Sequence, residues 1–163
     1  MTEKSIENIL TVVDKAIGGT LESMAFSEVV PLRLATDVEV ASELNVWSAL
    51  DIIDPRQGTL VLVLSKQLAE LITTSIYGFL EDDELSTEHY RDAINELLNI
   101  FGGQICKEIF GLDTVYNLGL PEFGQLSQRP EYESPSDDWI SIDYAVDGWL
   151  LRVMLETRFA KVI

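Results

Sequence analysis

The residues best equipped for chemistry lie between Tyr90 and Gly103, where acidic and amide side chains recur at three- and four-residue intervals. On a helix at about 100° per residue, Asp92, Glu96, Asn99 and Gly103 fall within an arc of about 60°, with Asn95 at its edge. Ile94, Leu97, Leu98, Phe101 and Ile105 occupy the opposite arc and should face a core. A carboxylate and an amide on one stripe can orient water or pair with a cation, but neither is a ready nucleophile. Asp92 and Glu96 also make a carboxylate pair, although one helix gives such a pair no second wall. Gly103 lies in the stripe and Gly102 beside it, and a glycine in a helix interior costs about 1 kcal/mol relative to alanine. Close approach of another backbone along the stripe is one reason to carry them. On spacing alone, a solvated face with two packing glycines is the simpler explanation.

The stripe needs a helix, and the helix needs a frame. Ser86 or Thr87 can cap a helix through about Phe110, ended by Gly111. Ile6, Ile9, Leu10, Val13, Ile17, Leu21 and Met24 predict an amphipathic helix over residues 6–26, with Thr2 or Ser5 as cap. Ser65 can cap a third, running to Tyr77 and stopped by Gly78. The β-branched stretch from Val29 to Val40 reads as strand. Residues 44–54 and 59–64 read as a hairpin around Pro55-Arg56-Gln57-Gly58. A short strand is expected over 115–120, then loop from Glu122 to Asp138. A last hairpin, 139–146 and 149–156, turns at Asp147-Gly148.

Composition narrows the partners. The 163 residues suit one domain, and 47% hydrophobic residues allow a real core. Eleven Lys and Arg against twenty-eight Asp and Glu give a net charge of −17. That field repels phosphate backbones and anionic lipid, so neither nucleic acid nor membrane is expected as partner, and a protein partner should present a basic face. Glu81-Asp82-Asp83-Glu84 would help steer it. One cysteine, Cys106, and one histidine, His89, exclude a Cys/His zinc site built by this chain alone. Cys106 reads as a small core residue and His89 as a solvated first-turn residue. No apolar run is long enough to span a bilayer, and the first residues lack the pattern of a signal peptide, so a cytoplasmic location is expected.

The chain also echoes itself. Ile17-Gly18-Gly19-Thr20-Leu21 resembles Phe101-Gly102-Gly103-Gln104-Ile105, and Trp47-Ser48-Ala49-Leu50-Asp51 resembles Trp139-Ile140-Ser141-Ile142-Asp143. The run from Gly58 to Leu64 likewise resembles that from Gly148 to Met154. Three landmarks in the same order suggest a duplication over about 5–64 and 86–157, linked by the helix at 65–77. The expected fold is α+β: one domain over 1–163, with two pseudo-symmetric helix-strand-hairpin halves and helices packed on an antiparallel sheet.

Asp92, Glu96 and Asn99 at this spacing, followed by Gly103 and by Pro121 in Leu118-Gly119-Leu120-Pro121, resemble the signature of the CheC/CheX chemotaxis phosphatases. Twenty-one residues separate Asn99 from Pro121, one fewer than in the family pattern. The resemblance extends over most of the chain, including the order of helices and hairpins. It implies a phosphatase of a phosphorylated CheY-type receiver domain. Asn99 would orient the attacking water and Glu96 would engage the receiver's active-site lysine. Asp92, Asn95 and Gly103 would contact the partner. It implies no cofactor of the chain's own, since the receiver supplies Mg²⁺. Aligning Gly18-Gly19 with Gly102-Gly103 sets Val12 opposite Glu96 and Lys15 opposite Asn99, so one site per chain is expected, as in CheX. The resemblance also implies a homodimer, for which a hairpin tryptophan could serve. The alternative is a receiver- or flagellar-switch-binding module without turnover.

Overall fold

The computed structural model describes residues 2–35, 37–78 and 85–161. Helix α1 spans Glu3–Ala25, opened by Thr2, whose side chain accepts from the Ser5 N–H, and closed by Phe26 in the left-handed region. Helix α2 spans Lys66–Tyr77 between the Ser65 cap and Gly78, and α3 spans Thr87–Phe110 between Ser86 and Gly111. A last turn, α4, covers Thr157–Ala160. The expected helices therefore form with their expected caps. The acidic run at 81–84 lies outside the described residues.

The strands are β1 (Val29–Pro31), β2 (Val46–Asp54), β3 (Gly58–Leu64), β4 (Asn117–Leu118), β5 (Glu122–Gln125), β6 (Trp139–Val146) and β7 (Trp149–Glu156). They form an antiparallel sheet of order β1-β6-β7-β3-β2-β4, with β5 also pairing β2. Exchanging β1, β2 and β3 for β4, β6 and β7 reproduces this order read backwards, with the short strands β1 and β4 lying on the hairpin strands β6 and β2. Asp147 and Gly148 take positive φ at the β6–β7 turn, as a tight hairpin requires.

Two expectations need correction. The strand expected over Val29–Val40 stops at Pro31, which has no N–H to continue the ladder, and a 3-10 turn at Leu32–Leu34 follows. The segment expected as loop from Glu122 begins instead with β5, where Glu122 to Gln125 pair with Ala49 to Val46.

Helices α1, α2 and α3 cover one face of the sheet. Ile9, Val13, Ile17 and Leu21 of α1 and Ile94, Leu97, Leu98, Phe101 and Ile105 of α3 join Leu60, Leu62 and Leu64 of β3 in the main core. The other face of β3 carries Val61 and Val63, buried in a second cluster with Trp47, Leu126, Tyr132 and Met154. Burial on both faces explains why β3 is a continuous apolar run. Trp47 and Trp139 each meet Tyr132 edge-on, at 5.7 and 5.9 Å between ring centroids. Arg33 pairs with Asp14, which also accepts the Tyr144 hydroxyl at 2.7 Å, pinning the 3-10 turn to α1. Burial, aided by that hydrogen bond, raises the Tyr144 pKa.

Candidate functional site

The start of α3 is fixed by a reciprocal cap. Ser86 Oγ accepts from the His89 N–H at 3.3 Å, and His89 Nδ1 accepts from the Ser86 N–H at 3.1 Å. His89 is thus half-buried and part of the cap, rather than simply solvated. Below it, Ile94, Leu97, Leu98, Phe101 and Ile105 are fully buried, which fixes the rotation of the helix about its axis. Asp92, Glu96 and Asn99 consequently lie together on the exposed face.

Those three side chains are lightly held. Asp92 approaches only its neighbour Arg91, at 3.4 Å with both largely in water, an arrangement worth little. Glu96 and Asn99 have no side-chain hydrogen bond or ion pair among the described residues. Their functional groups are available to something outside the chain.

Asn95 is placed differently. It is half-buried, its Oδ1 accepts a 2.7 Å hydrogen bond from Ser48 Oγ, and its Nδ2 donates to the Pro121 carbonyl at 3.4 Å. Pro121 therefore reaches the stripe through Asn95, from the β4–β5 side. Ser48 escaped notice in the sequence. The available signal was a lone hydroxyl inside the apolar run Val46-Trp47-Ser48-Ala49-Leu50.

The glycines divide by role. A Cβ on Gly102 would stand 2.6 Å from Leu50 Cδ2, so this glycine lets α3 lie close against β2. The close approach occurs on the sheet side of the helix and involves a side chain, not a backbone along the polar stripe. A Cβ on Gly103 would lie 3.4 Å from the Tyr116 hydroxyl, an ordinary contact. Gly18 and Gly19 have nothing within 4 Å of such an atom. The echoing pairs thus share spacing but not surroundings.

Beside the stripe, α1 and α3 enclose a groove of about 320 Å³ lined by Lys15, Ala16, Gly19, Thr20 and Ser23 on one side and Ile100, Gln104 and Glu108 on the other. Lys15 Nζ meets Glu108 at 2.6 Å across one end of it. Lys15, which the glycine alignment sets opposite Asn99, is therefore engaged in an ion pair. Cys106 is buried in the same helix, and burial pushes its thiol up to about 11. Among the described residues, no group of three or more His, Cys, Asp or Glu could hold a metal ion, and no helix is long and apolar enough to cross a membrane.

The stripe is exposed on a helix face, with an acceptor carboxylate and a donor–acceptor amide one turn apart. It can align a water or a cationic group brought by another molecule, but cannot enclose a small substrate.

No protein-family model matches the sequence, and no curated protein matches it. Solved structures do resemble it. The chemotaxis protein CheX from Desulfovibrio desulfuricans aligns with TM-score 0.67 at 16% identity, covering 90% of this chain and 97% of that one. The CheX of a CheX-CheY-BeF3-Mg complex from Borrelia burgdorferi aligns with TM-score 0.64 at 14% identity, covering 90% and 96%. FliY from Thermotoga maritima aligns with TM-score 0.66 at 19% identity, covering 99% and 94%.

Proposed function

We propose that this chain, which has the fold of the CheC/CheX superfamily, is a phosphatase of a phosphorylated CheY-type receiver domain. The observation carrying this reading is that Glu96 and Asn99 stand side by side on an exposed face, without partners among the described residues, on a helix locked by its buried side. The likeness to a CheX solved with CheY supports the choice of partner.

Receiver phosphorylation produces an acyl phosphate on an aspartate, with the receiver contributing Mg²⁺ and a lysine. Hydrolysis then needs a water in line with the bond to the carboxylate. Attack on phosphorus breaks that bond, releasing inorganic phosphate and restoring the carboxylate. Asn99 can hold the water through its amide without titrating, as a glutamine does in GTPases. Glu96 pairs with the receiver's lysine and sets the approach, while Asp92 and Gly103 flank the contact. Asn95 contributes from behind by holding the Pro121 segment. The excess of negative charge favours a basic-faced partner, and action on a CheY-type receiver would place the protein in the cytoplasm. Trp47 and Trp139 lie against Tyr132 within the chain, which leaves the partly exposed Trp149 as the hairpin tryptophan for a homodimer.

Phosphate release from a panel of phosphorylated CheY-type receivers tests this reading. Acceleration of at least one receiver's decay is expected. Binding to receivers with no acceleration of any would favour the non-catalytic module instead.

A further inference from the structure

We propose that Phe26 is an aromatic anchor for the receiver, entering an apolar socket rimmed by basic residues beside the phosphorylated carboxylate. This deepens the proposed function and rests on it. The groove between α1 and α3 supplies the geometry. Lys15 faces Glu108 across it, and Gly19 with Gln104 and Ser23 with Ile100 line its two walls further along. Each pair of numbers has the same sum, so the helices run antiparallel in a fixed register. Extending that register by one turn sets Phe26 level with Leu97, between Glu96 and Asn99. On α3 the wall residues Glu108, Gln104 and Ile100 step back by four, and the next step is Glu96 itself.

Phe26 is 84% exposed, so its ring does almost nothing for the core. Its φ of 55° ends α1 in the left-handed region, where glycine is the favoured residue and a side chain is strained. A phenylalanine there is unfavourable for the local backbone and idle in packing, so its use lies outside the chain. Glu22 and Glu28, both exposed, flank the ring, and Glu96 and Asp92 continue the row of α3 positions beyond Ile100. An apolar tip among carboxylates matches a socket bordered by Lys or Arg, the charge expected of a partner for this acidic chain.

The test uses the full chain and CheY-type receivers loaded with beryllofluoride and Mg²⁺, with KM and kcat measured on the phosphorylated forms. Phe26→Gly should raise Kd and KM about tenfold, leave kcat within about twofold, and not lower Tm. Phe26→Trp, which keeps an aromatic ring, should bind within about threefold of wild type. Leu112→Ala, at an equally exposed residue beyond the far end of α3, should change neither constant. Wild-type affinity in Phe26→Gly overturns the anchor while leaving the phosphatase reading intact. Weaker binding accompanied by a lower Tm also overturns it, because the ring would then serve the fold. Failure of the wild-type chain to bind any loaded receiver overturns both readings.

Discussion

Ser48 Oγ donates a 2.7 Å hydrogen bond to Asn95 Oδ1, tying a fully buried position of β2 to the edge of the stripe on α3. The bond orients the amide so that Nδ2 points to the Pro121 carbonyl. Asn95→Ala would leave the Ser48 hydroxyl buried without this acceptor, a loss of about 1–2 kcal/mol. Urea unfolding should show it as a lower midpoint with an unchanged slope. The double variant Asn95→Ala/Ser48→Ala should be no less stable than the single one.

The glycine pairs give opposite expectations. Gly18→Ala or Gly19→Ala meets open space and should stabilise α1 by about 0.5–1 kcal/mol. Gly102→Ala drives a methyl into Leu50, with Leu60 and Leu118 also close, so the gain in helix propensity is outweighed. A net loss of about 1 kcal/mol is expected. Thermal melts of the three variants decide it.

Cys106 sets the alkaline behaviour. Burial raises its thiol from 9.0 to about 11, so the folded state keeps a proton that the unfolded chain releases. Its contribution is complete below pH 9 and is lost as the pH rises towards 11. Denaturant midpoints should fall across that window. At pH 8, a thiol reagent should label the protein only as fast as the helix opens.

What could be read in the sequence follows from where the information is local. The helices were legible because caps and apolar periodicity are carried by adjacent residues, as at Ser65 and Gly78. The β6–β7 hairpin was legible from Asp147-Gly148. Strand β5 was not, because Glu122-Phe123-Gly124-Gln125 is short and becomes strand by pairing with β2. Val29–Val40 misled for the converse reason, since a β-branched run with a proline has only three residues paired to β6. The stripe of Asp92, Glu96 and Asn99 shared the periodicity that buried the other face. The contacts of Asn95 with Ser48 and of Gly102 with Leu50 join residues about fifty positions apart, and no local pattern encodes them.

Glu96 should act in docking as well as in geometry. Glu96→Ala should raise KM for the phosphorylated receiver and lower kcat, each by about tenfold. Wild-type binding should weaken with salt, and the variant should respond less steeply. Because Glu96 is exposed, its stability should stay within about 0.5 kcal/mol of wild type.

Asn99→Ala addresses the central claim. The amide is exposed and without a partner among the described residues, so its loss should leave the fold and receiver binding largely intact. Loss of a group that orients the attacking water should slow dephosphorylation by about a hundredfold or more. The measurement is the decay of a phosphorylated CheY-type receiver in magnesium buffer, with wild type and Asn99→Ala at matched occupancy. The account predicts rapid decay with wild type and near-spontaneous decay with the variant. A folded Asn99→Ala protein that clears the phosphoryl group as fast as wild type would contradict it.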